Sequence, residues 1–252
     1  MDPFALTSDP GAYVARPACE AALAELERLV RSGPIVALSG PPGIGKTLLL
    51  RVLERRLAGS LRPVYVPYGA LEYADLCRLV LGLMGLPIVA GEDPALELAV
   101  QARLAETRGE PLLLLLDDAN AIPLATLRAL VAATRSLDGA LRLLAVPVDD
   151  ARAARLLAAL GEGVGHVRLA EPMSAAETAS YVAGRLARSD ATDPTLARLT
   201  PERVSWLYRE SAGIPRRLHQ LVAWIAHRDG PPPDTIAPFG DAAAWLELDQ
   251  GS

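Results

Sequence analysis

Apolar and polar positions along the chain form two alternating kinds of segment. Short, nearly continuous apolar runs end in turn residues at IVALSG (35–40), VYVPYG (64–69), LLLLLDD (112–118) and LRLLAVP (141–147), with a weaker fifth at HVRLA (166–170). Runs that are continuous rather than alternating predict strands covered on both faces, as in a parallel sheet. Between them apolar residues recur at helical spacing. ACEAALAELERLVRSG ends at Gly33 and KTLLLRVLERRLAGS stops at Gly59. Asp93 and Pro94 open ALELAVQARLAETRG as N-cap and first helical residue, and Pro123 precedes LATLRALVAATRSLDG. Strand–helix alternation of this kind predicts an α/β fold, a three-layer αβα arrangement around a parallel sheet.

After residue 173 the alternation stops. SAAE (174–177) reads as a capping box leading into TASYVAGRLARS, Thr200 and Pro201 cap ERVSWLYRESAG, and Pro215 opens RRLHQLVAWIAHRDG. Three helices in succession predict a small helical lid at 173–229 behind a core at 1–172. GPPPDTIAPFG (230–240) reads as a linker and DAAAWLELDQ as a short acidic tail, together 230–252. Trp245, Leu246 and Leu248 make that tail either a docking peptide or a loosely packed terminus.

Composition narrows the class. The chain of 252 residues is 51% hydrophobic and 22% charged, within the range of soluble globular proteins, and its 4% aromatic content predicts an aliphatic core. No apolar run approaches the roughly 18 residues of a membrane span, and MDPFALTSDPG is acidic and Pro-broken, unlike a signal peptide. Cys19 and Cys77 sit in helical apolar patterns and read as buried thiols. These features predict a cytoplasmic protein. The net charge of −5 is carried by the segment from Asp229 onward, so the body is neutral and argues against a nucleic-acid partner. His166, His219 and His227 show no metal spacing with either cysteine.

One position stands apart from this balance. Of the 25 basic residues only Lys46 is a lysine, and it lies in Gly40-Pro41-Pro42-Gly43-Ile44-Gly45-Lys46-Thr47, between a predicted strand and a predicted helix. That is the context of a P-loop. Glycines let backbone N–H groups wrap a polyphosphate, and the helix N-terminus adds its dipole. The compact ammonium of Lys46 reaches the β- and γ-phosphates of ATP where a guanidinium fork would not fit, Thr47 holds Mg²⁺, and Leu48 continues the binding segment. LLLLLDDAN supplies the complementary carboxylates. Asp117 is placed to hold Mg²⁺ through water, and Asp118 to activate the attacking water.

These motifs, followed by a lid carrying GIPRRLHQL, resemble an AAA+ ATPase of the P-loop NTPase fold. DPFALTSDPGAYVARPACEAALAEL and EPMSAAETASYVAGRL resemble in particular the general-secretion-pathway protein A (ExeA-like) branch, over about residues 2–228. The resemblance implies ATP/ADP as ligand, hydrolase activity, and Arg216 as the lid arginine that touches the γ-phosphate, with Arg217 as a control. It also implies departures. Asp118 stands where the family has Glu, Pro147-Val148 where it has Gly-Gln, and GEGVG (161–165) where a trans-acting arginine is expected, with Arg152, Arg155 and Arg168 nearby. Binding residues are complete and hydrolysing ones weakened. The expectation is a slow or partner-stimulated ATPase acting as a switch, with a protein partner or a nucleotide-dependent homo-oligomer. A transposition-type AAA+ regulator that binds DNA with ATP and a non-hydrolysing nucleotide scaffold are the alternatives.

Overall fold

The apolar runs Ile35–Ser39 (β1), Arg62–Val66 (β2), Leu112–Leu116 (β3), Leu141–Ala145 (β4) and Gly165–Arg168 (β5) pair into one parallel sheet in the order β2-β3-β4-β1-β5. The computed structural model describes residues 3–87, 91–188 and 199–227; the linker and acidic tail at 230–252 lie outside them. Helices α1 (Pro17–Ser32), α2 (Lys46–Leu57), α3 (Tyr73–Leu83), α4 (Pro94–Thr107), α5 (Leu124–Ser136) and α6 (Ala153–Leu160) cover the sheet. Among the described residues α7 (Ala175–Leu186), α8 (Pro201–Ser211) and α9 (Pro215–His227) follow.

The period-2 geometry of each strand sorts its side chains between two cores. Val36, Leu38, Leu113, Leu115, Leu144 and Val167 pack against α1 and α2. Ile35, Ala37, Leu112, Leu114, Leu116, Leu141 and Leu143 pack against α3 to α6. All five leucines of β3 are therefore buried, which explains the unbroken apolar run. Each contributes roughly 2 kcal/mol of transfer free energy. This is the three-layer α/β/α arrangement the alternation predicts.

Boundaries differ where local signals compete. β2 begins two residues before the predicted run and stops at Val66, because its partner β3 begins at Leu112, opposite Arg62. α3 and α6 were not delimited by periodicity. The first, YADLCRLVLGL, has 11 residues and no side-chain cap, and the second has 8 residues. Predicted caps are present at Asp93, Ser174 and Thr200, with the reciprocal capping box of Ser174 and Glu177 formed.

A third cluster, built from Phe4, Met173, Tyr181, Val182, Leu207, Leu218, Leu221, Val222 and Ile225, joins the three C-terminal helices to the N-terminal segment. Trp206 and Trp224 pack at its margin. The turn into α9 depends on Gly213, which sits at φ +70 with its carbonyl accepting from the Met173 N–H. An added Cβ would lie 2.0 Å from the Met173 oxygen. Gly213→Ala is expected to destabilise the protein by about 2–3 kcal/mol, strain and displacement together. A thermal melt showing no loss would contradict the geometry.

Candidate functional site

The strand–loop–helix segment around Lys46 lies at the carboxyl end of β1, beside those of β3 and β4. Ile44 is buried in the α1/α2 core and pins the loop from beneath. Gly43 stands at φ +77, and an added Cβ would meet the Arg216 Cβ at 2.8 Å. The Arg216 N–H donates to the Gly43 carbonyl at 3.2 Å. The first turn of α9 thus rests directly on the loop. α2 starts from Gly45 with no side-chain cap, leaving its first backbone N–H groups facing the cleft.

Lys46 is 7% exposed, and its Nζ donates to the Gly40 carbonyl at 2.6 Å and the Pro41 carbonyl at 3.0 Å. Burial lowers its pKa, with the carboxylates of Asp149, Asp117 and Asp118 acting in the opposite direction and Arg216 adding to the lowering. An ammonium held on two carbonyls under these opposing charges is poised to exchange them for anionic oxygens.

Asp117 is reached by strand periodicity. It follows Leu115 by two residues and so faces the α2 side, one step along from Tyr65, which pairs with Leu115. The Tyr65 hydroxyl donates to Asp117 Oδ2 at 2.9 Å and the Asp118 N–H donates to Oδ1 at 3.0 Å. Burial, followed by the charge and hydrogen bond of Asp117, raises the Tyr65 pKa, so the phenol stays a donor. Asp118 itself is exposed and left-handed at φ 44, which turns its side chain away from the strand direction.

A cleft of about 470 Å³ joins these groups. Its lining includes Gly43, Gly45, Lys46, Thr47, Leu48, Asp117, Asp118 and Arg216 from the sequence-predicted set, and Val148 from the end of β4. The lining also has members whose segments the sequence singled out without giving them a role in the site: Leu6, Thr7 and Ser8 of the N-terminal segment, with Tyr181, Pro215 and His219 of the C-terminal helices. Asp149 was missed as well. Its N–H donates to the Gly40 carbonyl, and its carboxylate pairs with Arg168 at 3.1 Å. Only its place two residues beyond Pro147 could have flagged it.

Val148 has no polar side chain, yet its backbone is held on both sides by Asn120. The amide Nδ2 donates to the Val148 carbonyl at 3.0 Å, and Oδ1 accepts from its N–H at 3.0 Å. The turn after β3 and the end of β4 therefore move as one piece. Arg152 and Arg155 lie on the exposed surface of the α6 region.

Comparison with known proteins agrees with this geometry. Residues 30–147 match the family model described as an AAA domain. The structure is similar to Cdc6p from Pyrobaculum aerophilum, with 18% identity over 86% of this chain and 63% of that one and a TM-score of 0.61. It is similar to the Aeropyrum pernix ORC2 protein in its ADPNP-ADP complexes, with 19% identity over 83% of this chain and 61% of that one and a TM-score of 0.59. A Walker-type ATPase of Pyrococcus abyssi shares 14% identity over 89% of this chain and 70% of that one, with a TM-score of 0.61. The chain thus spans about 60–63% of the Cdc6p and ORC2 proteins. No curated protein matches it. The chain has the α/β fold of these P-loop ATPase structures, with residues 30–147 similar to an AAA domain, and no helix of the described residues is long and apolar enough to cross a membrane.

Proposed function

We propose that this chain is an AAA+ ATPase of the general-secretion (ExeA-like) type that binds ATP with Mg²⁺ and hydrolyses it slowly, as a switch for assembly or partner binding. The observation that carries the reading is the convergence of Lys46, Thr47, Asp117, Asp118 and Arg216 on one cleft. Its volume is of the size that holds a nucleotide, and the ADPNP-ADP complexes of the ORC2 protein support the same ligand class.

The residues present fit the metal. A buried carboxylate already fixed by two hydrogen bonds lines the same cleft as a threonine at the start of α2, an all-oxygen set suited to a hard cation. Thr47 and Asp117 would hold Mg²⁺, which would neutralise charge on the phosphate oxygens. The chain's own groups do the rest. Lys46 leaves the Gly40 and Pro41 carbonyls for the β- and γ-phosphates. Asp118 accepts the proton of the water that attacks the γ-phosphorus as the bond to the β-phosphate oxygen breaks. Arg216 meets the γ-phosphate from the lid, and the backbone bond to Gly43 makes lid position sensitive to what the loop holds. The nucleoside end lies against Leu6, Thr7 and Ser8 and against Tyr181, Pro215 and His219.

Slowness follows from what surrounds the water. Val148 offers no side-chain donor or acceptor, and Arg168 is committed to Asp149. In related phosphoryl-transfer enzymes an absent trans arginine costs about 10³–10⁵ in rate. Turnover of the purified chain is expected well below about 10 s⁻¹, and Asp118→Asn is expected to remove what remains while leaving nucleotide binding in place. Faster unassisted turnover, or an unchanged rate in Asp118→Asn, would overturn this reading. Sizing with ADP and with a non-hydrolysable ATP analogue reads the assembly half of the switch.

The charge balance of the body, with the net −5 carried from Asp229 onward, weighs against the DNA-binding alternative. The secretion-type assignment draws support from the N-terminal segment, whose Phe4 is buried among the C-terminal helices.

A further inference from the structure

Tyr65 belongs to no motif, yet it is the side chain through which β2 reaches the metal-side carboxylate. Its ring packs against the α1/α2 core, and the Arg51 guanidinium lies over it, 4.4 Å from the centroid. Arg51 is in turn held by Glu54 at 2.6 Å. The ring is therefore fixed on its faces, and its hydroxyl is delivered to Asp117 Oδ2 at 2.9 Å. With the Asp118 N–H on Oδ1, the carboxylate is anchored at both oxygens. A carboxylate at a strand end otherwise rotates freely about its last bond, which is a broad torsion. Each oxygen keeps further lone pairs for a cation or its water.

We propose that Tyr65 is a positioning residue for the metal: its phenol fixes the orientation of the Asp117 carboxylate and so sets how much a divalent cation adds to nucleotide binding. The inference rests on the reading of Asp117 as the metal-side carboxylate. Outer-sphere partners that orient ligating groups change metal affinity without touching the metal. Here the orienting group sits 52 positions away in sequence and meets Asp117 only because β2 and β3 pair in this register.

The test is the affinity of the whole chain for a fluorescent ADP analogue, measured in excess Mg²⁺ and in EDTA, and the ratio of the two. Tyr65→Phe is expected to lower that ratio about five-fold, the change equivalent to one hydrogen bond, with affinity in EDTA within about two-fold of wild type. In an Asp117→Asn background the same substitution is expected to change nothing further, since the pair acts as a unit. An unaltered ratio in Tyr65→Phe, or an equal drop in both backgrounds, overturns the proposal. So does loss of the fold, read from the far-ultraviolet signal, which would make the hydroxyl purely structural. A wild-type ratio near one would instead remove the metal-side reading of Asp117, and this inference with it.

Discussion

Lys46→Ala is expected to weaken ADP and ATP binding by about a hundred-fold or more while leaving the fold intact. The ammonium is 7% exposed and rests on the Gly40 and Pro41 carbonyls. Without the lysine the Gly40 carbonyl keeps the Asp149 N–H as a partner, and the Pro41 carbonyl sits at a part-buried position that water can reach, so the fold loses little. A phosphate has no such substitute. Two charge-assisted hydrogen bonds at about 1.5 kcal/mol each account for a loss near 3 kcal/mol, or about a hundred-fold in affinity. The direction of the Lys46 pKa shift adds to the argument. Burial disfavours its charge in the free protein, and an arriving polyphosphate reverses that, so part of the binding free energy is the relief of an under-compensated cation. Lys46→Arg is expected to recover less than a tenth of the affinity, because the planar fork is broader than the loop that Gly43 and Ile44 define. Calorimetry on the purified chain measures both. Equal nucleotide uptake by wild type and Lys46→Ala would remove the phosphate site, and the proposed activity with it.

What could be read from the sequence divides along a physical line. The loop around Lys46 and the five strands were legible because their signals are local. A glycine spacing and an unbroken apolar run each state a backbone conformation and a burial within a few residues. The caps at Asp93, Ser174 and Thr200 were legible for the same reason. Tyr65 was not, because its partner Asp117 becomes its neighbour through β2–β3 register alone. Asp149 and Asn120 were hidden differently: their partners are the Gly40 and Val148 backbones, and a main-chain acceptor or donor carries no residue identity to search for. The N-terminal residues Leu6, Thr7 and Ser8 reach the cleft only once the segment is folded over the C-terminal helices. α3 and α6 show the remaining limit: with 11 and 8 residues and no side-chain cap at either start, each repeats its apolar stripe too few times to announce itself.

Arg185 is the residue on which that folding-over turns. It is 4% exposed, and its guanidinium donates from Nε to the Pro3 carbonyl at 2.6 Å, from Nη1 to the Ala12 carbonyl at 2.8 Å and from Nη2 to the Ala5 carbonyl at 3.3 Å. A rigid planar fork can serve three acceptors in fixed directions at once, which an ammonium on a flexible stem does less well. The same segment inserts Phe4 edge-on to His219, centroids 5.6 Å apart, within the C-terminal core. Arg185→Ala removes the charged donors and leaves three carbonyls without partners. Part of that loss is recovered as the exposed stretch from Ala5 onward hydrates, so the expected destabilisation is about 3 kcal/mol rather than the full sum of three charged bonds. For a chain of this length that corresponds to a fall in melting temperature of roughly 6–12 °C. Arg185→Lys is expected to regain less than half. Because Leu6, Thr7 and Ser8 form one wall of the cleft, nucleotide affinity in Arg185→Ala falls together with stability, whereas in Lys46→Ala affinity falls alone. Opposite results for the two variants, or an Arg185→Ala protein within about 0.5 kcal/mol of wild type, would mean that the N-terminal segment is not held by this fork.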